Sequence, residues 1–148
     1  MSKLTNEKIQ PHQWLNSKKL ELVLLNKKDA QEIVKEIRAI SQYVRFAGVI
    51  DSKGKVVAYV RRPGHESLLN IKNTSDQFSH LAIKTRMASQ FNKQLGDVQF
   101  MWEEREKVQT ISFALGKNTV WASIDKKVIR SEVLRIIDNC LPIVRHFS

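Results

Sequence analysis

Between Asp29 and Phe147 the apolar residues follow two periods, and the periods change in a fixed order. Ile33, Ile37 and Ile40 recur at i, i+4 and i+7, with Val34 alongside; Lys35, Glu36 and Arg38 take the other side. That spacing predicts an amphipathic helix. Asp29 is its expected cap, with Glu32 three residues later in a capping-box pattern. Val44 to Asp51 then alternates, with Val44, Phe46, Gly48 and Ile50 on one face and Ala47 and Val49 on the other. Asp51-Ser52-Lys53-Gly54 reads as a turn, in which Gly54 can take a positive φ. Lys55 to Arg61 returns as a strand, and Pro63 and Gly64 break the sheet after it.

A second helix is expected from Ser75 or Asp76 to Gly96. Phe78, Leu81, Ala82 and Ala88 lie on one side of it, and Ile83, Met87, Phe91 and Leu95 on the opposite side. A helix that is apolar on two sides needs two covers. One is its own sheet. The other is a partner subunit, or else the N-terminal extension or the last helix. Three strands follow between Asp97 and Ile124: Val98 to Trp102, Val108 to Leu115, and Thr119 to Ile124 after a turn at Gly116-Lys117-Asn118. Asp125 is the expected cap of a last helix, along which Ile129, Val133, Ile136, Cys140 and Ile143 are spaced alternately four and three apart. Pro142 lacks an amide donor and is expected to kink or end that helix near Leu141. The class is therefore α+β: a two-layer arrangement with a five-stranded antiparallel sheet, in the order helix-strand-strand-helix-strand-strand-strand-helix.

Residues 1–28 read as a basic, partly ordered extension, and residues 29–148 as a single domain. Trp14, Leu15 and the run Leu20 to Leu25 are too apolar for a purely disordered tail, and the run is equally compatible with a short helix or a strand. The lysines near the start have no apolar stretch behind them, which argues against a secretory signal. No apolar run approaches the ~18 residues of a membrane span. A cytoplasmic protein is the simplest expectation.

Composition adds little to the fold and more to the partners. The chain has 148 residues, is 42% apolar and 27% charged, and carries a net charge of +10. The excess is spread over both ends, one loop and one helix, while residues 97–125 are net acidic. A diffuse excess gives weak attraction to polyanions rather than one basic stripe. Nucleic acid or a ribonucleoprotein is thus an alternative partner.

Candidate chemistry is sparse. Cys140 is the single cysteine and lies among Ile136, Ile137, Leu141 and Ile143, the setting of an inert core thiol. His12, His65, His80 and His146 form no paired helical metal motif. Glu103, Glu104 and Glu106 alternate with Arg105 and Lys107, as charges at a sheet edge do. Trp102 and Trp121 can stack on bases, but strand positions favour core or interface packing. Lys126, Lys127, Arg130 and Arg135 form no single basic stripe. The best polar candidate is an anion-binding loop of Arg61, Arg62 and His65, which makes a small-anion sensor a further alternative. No catalytic, cofactor or metal set is read here.

The stretch Ala30 to Arg62 resembles the opening of the Roadblock family of dynein-light-chain-related domains: a helix, an apolar strand containing Gly, a polar turn and a second strand. Leu81 to Ile124 resembles the rest, with a long helix, an apolar strand, charged residues and two more strands. The whole also resembles the wider profilin-like class, small archaeal proteins among it. The long basic N-terminus and the extended last helix depart from the pattern. The resemblance implies a non-enzymatic adaptor or regulator, homodimeric and acting on a protein partner such as a small GTPase. It also implies pairing through the second helix and the following strand, here Ile83, Met87, Phe91, Val98, Phe100 and Trp102.

Overall fold

The computed structural model describes residues 25–64 and 66–148. Its elements are α1 (Lys27–Ile40), β1 (Val44–Ile50), β2 (Val56–Arg61), α2 (Ile71–Ser89), the one-turn α3 (Asn92–Leu95), β3 (Met101–Glu104), β4 (Val108–Leu115), β5 (Asn118–Asp125) and α4 (Arg130–His146). This is the expected order, with α3 continuing α2 past a break. Residues 1–24 of the N-terminal extension lie outside the described residues. Leu25 packs against the main core.

The five strands form one antiparallel sheet in the order β2-β1-β5-β4-β3. The β1–β2 and β4–β5 hairpins thus meet through β1 and β5, and β2 and β3 are the edges. α1 and α4 cover one face. Ala30, Ile33, Val34 and Ile37 of α1 and Val133, Ile136, Ile137, Cys140 and Val144 of α4 are buried there with Ala47, Val49, Ile111, Phe113, Val120, Ala122 and Ile124. This layer pair holds most of the buried apolar surface, at roughly 25 cal/mol per Å² removed from water. α2 covers part of the opposite face through a smaller cluster of Phe46, Ile50, Phe78 and Trp121, with Leu81 against it. Phe78 and Trp121 meet edge to face at 5.4 Å.

One register detail decides which side chains reach which core. Strict alternation groups Val44 with Phe46, yet Val44 packs with Ala47 and Val49 in the main core while Phe46 packs under α2. The cause is a bulge. Val44 pairs with Ile124 and Phe46 with Ser123, so Arg45 is an extra residue opposite adjacent partners.

The helix limits differ from expectation because asparagines, not aspartates, cap two of them. Asn26 accepts from the Lys28 amide at 2.7 Å and starts α1 ahead of Asp29, which falls in the first turn, where its charge suits the helix dipole. Asn70 accepts from the Asn73 amide at 2.7 Å and starts α2 at Ile71, ahead of Ser75. Asp125 does not cap α4; its carboxylate accepts from the Lys127 amide at 2.9 Å and closes a turn, and α4 begins at Arg130. Lys126 and Lys127 therefore precede the helix. Nor does Pro142 end it: α4 runs on to His146. An interior proline costs about 3 kcal/mol, but burial of a side chain such as Val144 returns roughly 1.5–3 kcal/mol. Pro142 itself faces outward.

The first hairpin turn forms as predicted. The Asp51 carboxylate accepts from the amides of Lys53 and Lys55 at 2.8 and 2.9 Å, and Gly54 has φ +84°. This turn also seats α2, because a Cβ on Gly54 would lie 2.8 Å from the Ser79 Cα.

Candidate interaction surface

The C-terminal half of α2 begins an apolar stripe that no other described residue covers. Ile83 is 40% exposed, Met87 56% and Phe91 56%, with Leu95 following on α3. The spacing of four puts Ile83 and Met87 on one side of α2, about 6 Å apart along its axis, and Phe91 follows just past the end of the helix. Their opposite side holds Phe78, Leu81, Ala82 and Thr85 against the sheet. Thr85 Oγ1 and Thr119 Oγ1 share a 2.7 Å hydrogen bond that fixes the helix to β5. Neither the last helix nor any other described element covers the stripe.

Beside it runs the open edge of the sheet. The strand expected from Val98 begins at Met101, because residues 97–100 are not paired to β4. Phe100 is 36% exposed and Val98 is half-buried. Trp102 is drawn the other way: its ring packs on the main core, and its Nε1 donates to Gln109 Oε1 at 2.9 Å. Gln109 in turn donates to the Val128 carbonyl at 3.1 Å, so Trp102 braces β3 from behind. Lys84 of α2 reaches Glu103 of β3 at 3.2 Å, which places the flank of α2 along this edge.

The acidic residues of the β3–β4 region are partners of cations, as an edge would require. Glu103 also binds Arg105 Nε at 2.7 Å, and the hydrogen bond from Arg105, helped by Lys84, holds its carboxyl below the usual range. Glu104 binds Arg130 at 2.8 Å and approaches Lys126 at 3.9 Å; the Arg130 hydrogen bond lowers its pKa as well. Glu132 pairs with Arg135 at 2.7 Å. Much of the positive charge near α4 is thereby matched locally, which disfavours a nucleic-acid face. No group of three or more metal-ligating side chains occurs among the described residues.

Of the expected anion loop of Arg61, Arg62 and His65, the two arginines are described and do not converge. Arg61 faces the α2 side, paired with Phe46 across β1–β2. Arg62 turns the other way and is used by the fold: Nη2 donates to the carbonyls of Ser41 at 2.7 Å and Arg38 at 3.3 Å, and Nε to that of Val44 at 3.1 Å. It thus satisfies carbonyls at the end of α1. Arg61, the last residue of β2, and Arg62, just after it, therefore lie on opposite faces of the sheet. His65 and His12 lie outside the described residues. His80 is exposed on α2, and His146 meets the Phe147 ring at 5.0 Å. Cys140 is fully buried, and burial pushes its thiol up to about 12. Trp121 lies in the core under α2.

Two residues escaped the sequence reading. Lys84 was masked by its place between apolar positions of a surface helix. Arg45 had a visible signal, an arginine between Val44 and Phe46 in an otherwise apolar strand. It is only 9% exposed.

No protein-family model and no curated protein sequence matches this chain. Solved structures do. The gliding protein MglB from Thermus thermophilus superposes with a TM-score of 0.59 at 18% identity, over 85% of this chain and 97% of that one. A Roadblock/LC7 domain from Streptomyces avermitilis gives 0.58 at 8% identity, over 78% and 92%. Schizosaccharomyces pombe profilin gives 0.55 at 12% identity, over 80% and 98%. No helix among the described residues is long and apolar enough to cross a membrane. At these identities the likeness is one of architecture: the chain has the fold shared by Roadblock/LC7 domains and profilins.

Proposed function

We propose that this chain is a non-enzymatic interaction module that pairs with a second copy of itself and presents the pair to a protein partner. The observation that carries the reading is the uncovered stripe of Ile83, Met87 and Phe91 beside the unpaired edge of β3. Two apolar side chains one turn apart on α2, with Phe91 just past its end, lie next to open strand donors and acceptors and form a self-complementary surface suited to a two-fold contact. Residues 97–100, which are not paired to β4, supply Val98 and Phe100 to its rim. Trp102 supports the edge from the core rather than touching the partner.

The Roadblock-like fold supports a regulatory or adaptor role, with a small GTPase as the partner class. The test uses purified small GTPases loaded with GDP or a GTP analogue, offered to the wild type and to Ile83→Asp. Binding of one nucleotide state to the wild type, reduced in the variant, supports the reading. Equal binding to both proteins would separate partner recognition from pairing. Absence of binding across the panel would remove the GTPase clause and leave the pairing clause to its own test.

A further inference from the structure

The N-terminal half of α2 does different work from the C-terminal half. Between it, the sheet and the loop after β2 lies an open cavity of about 910 Å³. It exists because small residues alternate with large ones on the sheet face beneath the helix. Gly48 and Ser112 flank Trp121 across the strands, and Thr110 and Phe46 flank Ser123. These small side chains are too short to reach α2, so the helix rests on Phe46, Ile50 and Trp121 and leaves space beyond them.

The floor of that space is polar and contains a buried cation. Arg45, the bulge residue, is 9% exposed and lines the cavity. Its Nη2 donates to the Glu66 carbonyl at 2.9 Å, and its guanidinium lies 5.3 Å from the centre of the Phe46 ring. Among the described residues no carboxylate forms an ion pair with it. Of the other cations at the cavity, Arg105 is paired with Glu103, while Lys107, like Arg45, forms no ion pair among the described residues. Three carboxylates also line the cavity: that of Glu104 is held by Arg130, and Asp76 and Glu106 lie at its wall. Ser123 and Thr110, both largely buried, line the floor with Arg45. Phe46, Tyr59 and Trp121 supply aromatic walls.

A buried charge without a counter-charge is costly, and a guanidinium held by one carbonyl retains donors for an anion. Ligand cavities of this size typically combine apolar walls with a few convergent polar groups. We propose that this cavity binds a small organic carboxylate with a planar apolar body. The carboxylate pairs with Arg45, the Ser123 and Thr110 hydroxyls complete its hydrogen bonds, and the planar part lies against Phe46, Tyr59 and Trp121. The site is independent of the pairing surface, which lies on the other half of α2.

Calorimetric titration of the full chain with benzoate and indole-3-acetate tests this, with benzamide and indole-3-acetamide as neutral counterparts and phenyl phosphate as the alternative anion. At least one carboxylate is expected to bind saturably at millimolar concentration. Its amide and the Arg45→Gln variant are each expected to bind about tenfold or more weakly, since a charged hydrogen bond is lost. Ser123→Phe, which fills the floor and leaves Arg45 in place, is expected to abolish binding even if Arg45→Gln folds poorly. Preference for phenyl phosphate over both carboxylates would overturn the carboxylate assignment. Equal affinity for acid and amide, unchanged binding in Ser123→Phe, or no binding by any probe would overturn the site.

Discussion

Lys84 on α2 and Glu103 on the edge strand β3 form an ion pair of 3.2 Å that ties together the two elements of the proposed pairing surface. Both side chains are substantially exposed, at 53% and 38%, so the pair orients more than it stabilises. Arg105 and Lys84 hold the Glu103 carboxyl below its ordinary range. A depressed carboxylate stabilises the native state above its unfolded pKa of about 4.3. That contribution is lost as the pH falls through the lower native value. Lys84→Ala should therefore cost only a few tenths of a kcal/mol at neutral pH. Urea midpoints of the two proteins should converge as the pH falls through the lowered native value. A cost that grows in acid would contradict the assignment.

Arg62 should behave as a structural residue. Its three hydrogen bonds join the end of α1 to β1, and Arg62→Ala leaves those carbonyls without their donors. Loss of about 2–3 kcal/mol is expected in chemical unfolding. The carboxylate affinity of the folded fraction should be unchanged. A neutral effect on stability would mean that the guanidinium is not engaged there.

Gly54 is constrained twice, by φ +84° and by the Ser79 backbone against it. Gly54→Ala should cost about 1–3 kcal/mol through strain and displacement of α2. Because that helix carries the proposed pairing surface, dimer dissociation should rise in parallel. Thermal unfolding and sedimentation of the same variant check both parts.

Cys140 should be silent in the native protein. Its thiol is fully buried and raised to about 12, so little thiolate exists at any working pH. An aromatic disulfide reagent at mildly alkaline pH should react only at the rate of unfolding, and promptly once urea is added. Fast modification of the folded chain would contradict its place between α4 and the sheet.

Most of the fold was legible because periodicity reports burial directly. Ile33, Val34 and Ile37 of α1, and Val133, Ile136 and Cys140 of α4, are buried as their spacing requires. The turn at Gly54 was legible from its residue types. Cap positions were less so, since asparagine and aspartate compete for the same role and only local geometry chooses Asn26 over Asp29. The bulge at Arg45 was invisible to alternation, because one extra residue shifts every face assignment on one side of it. The adjacency of Arg61 and Arg62 suggested one site, whereas strand geometry sends them to opposite faces. The cavity could not be read at all. Its floor joins Phe46 of β1 to Ser123 of β5 and Thr110 of β4, and that meeting depends on strand order, which periodicity does not encode. The exposed stripe on α2 was legible, since a second apolar side on one helix shows in the sequence before its cover is known.

The central claim is that this stripe is covered by a second copy of the chain. Sedimentation equilibrium at micromolar concentration tests it most directly. The wild type should sediment at twice the 17.1 kDa of one chain, and Met87→Asp at 17.1 kDa with an unchanged circular dichroism spectrum. A wild type that remains at the single-chain mass, or a folded Met87→Asp that remains at the doubled mass, would contradict it.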